Sequence, residues 1–117
     1  MGYRSEVYLF VDAKIINSFI AKLEEVKDGW HLFFDNEEEL RAVEGKDFLF
    51  SGSYLKWYPT YPDIEAVEGW MQSMYDNELH EYFRFARLGE ELGDYEERGE
   101  SEKCEFGVSQ SLNVWEN

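Results

Sequence analysis

Glu6-Val7-Tyr8-Leu9-Phe10-Val11 is a short apolar run rich in β-forming residues, and at Asp12 its rhythm changes. Beyond that point Ile16, Phe19, Ile20, Leu23 and Val26 recur at helical spacing, with Lys22, Glu24 and Glu25 off the stripe. A strand followed by an amphipathic helix is therefore predicted, with Asp12 as its N-cap. Asp28-Gly29 ends the helix and leads into residues 30–34, Trp-His-Leu-Phe-Phe, which read as a second strand. Residues 36–44 predict a short helix capped by Asp35 or Asn36, with three glutamates near its N-terminus and Gly45 closing it. Residues 46–58 are strand-like, and Ser51-Gly52-Ser53 within them predicts a tight hairpin or a bulge.

Pro62 suits the first position of a helix whose buried stripe is Ile64, Val67, Met71 and Met74, flanked by Trp70 and Tyr75. Residues 79–88 alternate as a strand, with Phe83 and Phe85 on one face and Tyr82, Arg84 and Ala86 on the other. Residues 89–105 read as an acidic loop. Phe106, Val108, Leu112 and Val114 alternate with serines and Asn113 as a final half-buried strand. The order β-α-β-(short helix)-β-α-β-β predicts one α+β domain over residues 1–117. The expected architecture is a ferredoxin-like split βαβ sandwich: two helices on one face of a mostly antiparallel sheet, with an extra C-terminal strand.

Composition narrows the classes of function. The chain carries 26 carboxylates against 11 lysines and arginines, a net charge of −15. From Pro62 onward the basic residues are Arg84, Arg87, Arg98 and Lys103, so most of the excess lies there. Aromatic content of 18% is a payload that disordered acidic chains lack, so the charge is expected on a folded body. Self-repulsion costs folding energy, which solubility or a cationic partner would offset. A lone cysteine, Cys104, gives no internal disulfide or multi-cysteine zinc site and predicts an intracellular setting. The opening residues lack a signal-peptide layout, and no apolar run reaches membrane-spanning length. Without a Lys/Arg cluster, direct nucleic-acid binding and an anionic membrane are not expected.

Several stretches resemble a family of short acidic proteins encoded by phages and prophages. The chain opens Met1-Gly2-Tyr3-Arg4-Ser5-Glu6-Val7, and carries Lys56-Trp57-Tyr58 and Tyr61-Pro62-Asp63 ahead of a helix. Arg87-Leu88-Gly89-Glu90 ends an aromatic strand, followed by Asp94-Tyr95-Glu96-Glu97 and Ser109-Gln110-Ser111. The resemblance implies a phage or prophage origin, a small accessory role in the cytoplasm of a bacterial host, and no transferred active site. This chain departs from the family in having no His over residues 66–69.

Two surfaces are candidates for function. The first is acidic: Glu90, Glu91, Asp94, Glu96, Glu97, Glu100, Glu102 and Glu105, joined by Glu65, Glu68, Asp76, Glu78 and Glu81. Dense carboxylate rows on a rigid body would suit a basic host protein, and in the limit would imitate duplex DNA. The alternative is a solvated loop that confers solubility. The second is an aromatic corner of Lys56, Trp57, Tyr58, Tyr61 and Asp63 with Arg87, a pocket for a small ligand or peptide. Its alternative is a corner whose Trp is core and whose Asp63 caps a helix. Arg87 shares a face with Phe83 and Phe85 and needs a carboxylate partner such as Glu90 or Asp63.

Catalytic chemistry has no convergent motif. Neither His31 nor His80 has metal-ligand spacing, and the 35–46 stretch lacks the register of a calcium loop. Cys104 sits among carboxylates that oppose thiolate formation. The expectation is a non-enzymatic phage accessory protein with no cofactor and no metal. It would bind a basic host protein, and homodimerisation through the final strand stays open.

Overall fold

The computed structural model describes residues 3–26 and 29–103. Among the described residues four strands form one antiparallel sheet: β1 (Ser5–Val11), β2 (Phe48–Leu55), β3 (Phe83–Gly89) and β4 (Tyr95–Gly99), in the order β2-β1-β3-β4. Three α-helices accompany them: α1 (Ile16–Glu24), α2 (Glu37–Ala42) and α3 (Pro62–Asp76). The class is α+β. The expected final strand, Cys104, Glu105 and Ser109-Gln110-Ser111 lie outside the described residues, as do Met1, Gly2 and Asp28.

The pleat of β1 sends Val7, Leu9 and Val11 to one face, where all three are fully buried. Each sits opposite a partner on that face: Val11 pairs with Phe83 and Phe48, and Leu9 with Phe85 and Phe50. Ile16, Phe19, Ile20 and Leu23 of α1 and Ile64, Val67, Met71 and Met74 of α3 close over it as one core. Trp70 is not a flank but a central member, 2% exposed, with its ring 4.9 Å from Phe19 and 5.3 Å from Phe83. Its indole N–H donates to Ser18 Oγ at 3.0 Å, tying α3 to α1.

Residues 30–34 do not form the predicted strand. Gly29–Leu32 is a 3-10 turn, and Phe33 and Phe34 pack edge-on or tilted against Phe50 and Phe48 instead of joining the ladder. A five-residue apolar run satisfies either outcome, because burial rather than pairing is what it requires. Asp12 also differs from expectation. Its carboxylate accepts from the Lys14 N–H at 2.9 Å, closing a turn before α1 begins at Ile16. The cap of α2 is Asn36, whose side chain accepts from the Glu39 N–H at 2.9 Å.

The Ser51-Gly52-Ser53 signal resolves as a bulge. Val7 faces Gly52 and Ser5 faces Leu55, so two steps along β1 oppose three along β2. The extra residue falls at Tyr54, whose φ is +59°. It inverts the alternation, so Phe48, Phe50 and Gly52 point to the core before it, and Leu55 and Trp57 point there after it. A Cβ at Gly52 would press on the Phe50 ring and the Leu55 methyl, which would have to shift to admit it.

β4 lies where a loop was expected. It pairs with β3 through Phe85 opposite Arg98, Ala86 opposite Glu97 and Arg87 opposite Glu96. Its core-facing positions are thus Glu96 and Arg98, and inward-pointing charge on an edge strand discourages pairing with a further strand.

Candidate functional site

The carboxylates that looked like a continuous surface divide when the pleat of β4 is imposed on them. Glu96 turns inward and the exposed Glu97 outward, so adjacent residues do not form a row. The Glu96 Oε1 accepts from Arg87 Nε at 2.6 Å, and its Oε2 from Arg98 Nη2 at 3.3 Å. Arg98 Nη1 reaches Glu68 Oε1 of α3 at 2.8 Å, and Glu68 Oε2 accepts from the Trp57 indole N–H at 3.0 Å. In the other direction Arg87 Nη2 meets Asp94 Oδ1 at 2.9 Å, and the Tyr3 hydroxyl donates to Asp94 Oδ2. Seven side chains therefore run as one relay, Tyr3–Asp94–Arg87–Glu96–Arg98–Glu68–Trp57, along the edge of the core. Arg87 Nη1 adds Ser5 Oγ at 3.1 Å.

The electrostatics follow from that geometry. Hydrogen bonds from Arg87, then from Tyr3, hold the Asp94 carboxyl below the usual aspartate range. The same Asp94 contact raises the Tyr3 phenol. Burial opposes the Arg87 charge, yet Asp94 and Glu96 outweigh it and raise the guanidinium further. Burial likewise works against ionisation of Asp12. The Lys14 N–H and the Lys103 ammonium, 3.0 Å away, outweigh it and hold Asp12 low. The need of Arg87 for a carboxylate on the core face is met, but by Asp94 and Glu96 rather than by Glu90 or Asp63.

Glu68, Asp94 and Glu96 are thus structural ion-pair partners, and Glu100 stands 3.4 Å from the His80 imidazole. Glu90 accepts the Arg4 backbone N–H, and Asp76 accepts from Gln72 at 3.1 Å. Glu65, Asp76, Glu78, Glu81, Glu90, Glu91, Glu97, Glu100 and Glu102 remain exposed. Glu105 lies outside the described residues.

The residues of the aromatic corner are not brought together on one surface. Trp57 is 5% exposed and packs on Phe85 at 5.6 Å, so it belongs to the core. Asp63 accepts the N–H of Ile64 in its own helix at 2.8 Å. Arg87 is spent on Asp94 and Glu96. Lys56 and Tyr61 are exposed, and Tyr58 and Tyr61 meet edge to face at 5.1 Å.

Open concavity lies elsewhere, at the end of the sheet where β1 begins and β2 and β3 finish. One cleft of about 220 Å³ is lined by Arg4, Ser5, Glu6, Tyr54, Leu88, Gly89 and Glu90. A second, about 440 Å³, lies along the β3–β4 hairpin from Leu88 to Tyr95 and shares Leu88, Gly89 and Glu90 with the first. Leu92 is fully exposed here, and Tyr54 and Tyr95 are 82% and 52% exposed. None of the three was singled out from the sequence. The available signals were an aliphatic residue isolated between Glu91 and Gly93, and a tyrosine directly after Ser-Gly-Ser.

Among the described residues, no helix is long and apolar enough to cross a membrane, and no three His, Cys, Asp or Glu side chains converge as metal ligands. No family model, curated protein or solved structure matches the chain.

Proposed function

We propose that this chain is a non-catalytic binding protein that engages a basic host protein through its acidic surface, in the setting of a phage or prophage accessory factor. One observation carries the proposal. Beyond the relay, where Arg87 and Arg98 offset two of its three carboxylates, exposed carboxylates extend from α3 through Glu78 and Glu81 and along the hairpin. Few cations intervene in a chain of net charge −15. Such a field accelerates encounter with a basic surface and is screened beyond roughly 10 Å at 0.1 M salt. The finer form of the reading makes the partner a nucleic-acid-handling or defence factor, whose phosphate-binding surface these carboxylates occupy. The finer form of the fold reading, a split βαβ unit, draws support from α3: it links β2 to β3, which run parallel with β1 between them.

Affinity capture from bacterial lysate at about 50 mM and about 300 mM salt tests this. The expected result is a nucleic-acid-binding protein retained at low salt, released at high salt and displaced by duplex DNA. A capture unaffected by salt, or no capture at either concentration, overturns it.

A further inference from the structure

We infer that the two adjoining clefts at the end of the sheet form a single docking groove for a basic peptide segment anchored by one aliphatic or aromatic side chain. This inference rests on the acidic-surface reading and narrows it to a place and a partner chemistry. The larger cleft has a largely apolar lining, with Leu88 half-buried and Leu92 and Tyr95 projecting at its mouth. Its rim is charged: Glu90 and Glu91 on the hairpin, and Glu6 across the shared wall, against Arg4 alone. An apolar lining inside an acidic rim selects an apolar anchor flanked by lysine or arginine.

The groove is held in shape before any partner arrives. Gly89 N–H donates to the Asp94 carbonyl at 2.7 Å, and Asp94 N–H to the Glu91 carbonyl at 3.0 Å. Below them Arg87 clamps Asp94, and Tyr3 accepts the Glu91 N–H at 2.9 Å. Gly89 leaves the space that Tyr3 and Asp94 fill, since a Cβ there would collide with both. A preformed lining spares the ordering cost that weakens most exposed apolar contacts. The described edges of the sheet are poorer docking places, one carrying inward charge on β4 and the other the Tyr54 bulge on β2. A second copy of the chain would bring like charge to the rim.

The test uses the full chain and three labelled peptides in fluorescence anisotropy. One carries a single leucine between paired lysines, the second replaces that leucine by serine, and the third replaces the lysines by glutamate. Burying one leucine side chain predicts about tenfold tighter binding of the first peptide than of the second. The Leu92→Ser variant should abolish that preference while leaving tryptophan fluorescence and melting unchanged, and Glu38→Gln, at an exposed position of α2 outside the acidic surface, should preserve it. Equal, salt-sensitive binding of the first two peptides refutes the groove and leaves the acidic-surface reading standing. Binding of neither basic peptide refutes both, and tighter binding of the glutamate peptide reverses the assigned charge preference.

Discussion

Replacing Arg87 by methionine keeps the apolar stem on the core and removes the cation at the centre of the relay. Three hydrogen-bonding groups lose a donor, Glu96 at 2.6 Å, Asp94 at 2.9 Å and Ser5 at 3.1 Å, while Glu96 keeps Arg98 and Asp94 keeps Tyr3. The Arg87 side chain is 14% exposed and its carboxylate partners are 32% and 29% exposed, between the buried and surface limits. Exposed pairs contribute about 0.2–1 kcal/mol, whereas breaking a buried one costs about 3–5 kcal/mol. Two partly screened partners place Arg87→Met at about 2–3 kcal/mol. Urea denaturation followed by tryptophan fluorescence would read this, since Trp57 and Trp70 both sit in the core. Most of the loss is the penalty of two half-buried carboxylates left without their shared cation. Adding Asp94→Asn and Glu96→Gln to the variant should therefore recover about half of it. A loss under about 0.5 kcal/mol, or a triple variant weaker than the single, would refute the view of the relay as a structural brace.

Acid should weaken the fold from about pH 4 downward. Asp94 and Asp12 both have folded pKa values below their unfolded ones, so their contribution is complete above the unfolded value of about 3.9 and is lost as pH falls through the folded values. Melting temperatures between pH 6 and pH 2.5 check this, and a flat profile would contradict it. Gly99→Ala should cost more than about 2 kcal/mol in chemical denaturation, because its φ is +81° and a Cβ would strike the Phe83 carbonyl. Gly93→Ala, at φ +87° with open space around it, should cost about 1 kcal/mol from backbone conformation alone. Trp57→Phe should lose about 1 kcal/mol with the indole hydrogen bond to Glu68, and Trp57→Ala about 3–5 kcal/mol; an unchanged melting curve for the alanine variant would put Trp57 outside the core.

The elements legible in the sequence are those stabilised by a one-sided apolar pattern. β1, α1, α3 and β3 all present Val, Ile, Leu, Met or Phe at the period of their own structure, and β1 and α3 form close to their predicted limits. By contrast, α1 is shorter at both ends (Ile16–Glu24), and β3 starts only at Phe83, because His80–Tyr82, expected in the strand, is a 3-10 turn. β4 was illegible for the opposite reason. Tyr95-Glu96-Glu97-Arg98-Gly99 carries no apolar alternation, and its pairing is secured by cross-strand charge, Glu96 against Arg87, on a face already supplied with core. Residues 30–34 misled because five consecutive apolar residues specify burial without specifying how the backbone is satisfied. The candidate groove was hidden for a third reason. It joins the start of β1, the bulge of β2 and a hairpin tip, three places whose proximity exists only once the register is set.

The position of β1 has a consequence for how the chain comes into being. It precedes β2, β3 and β4 in the chain and is an interior strand of the sheet, and its pairs with β3 join residues 72 to 84 positions apart, from Val11–Phe83 to Ser5–Gly89. At about 5–20 residues per second, a nascent β1 waits roughly 4–17 s for that neighbour to leave the ribosome. During the wait, Val-Tyr-Leu-Phe-Val has only β2 for shelter, and its other flank is a sticky template. Like charge on neighbouring growing chains opposes association at that flank, a physical consequence of the acidic composition that is separate from partner choice.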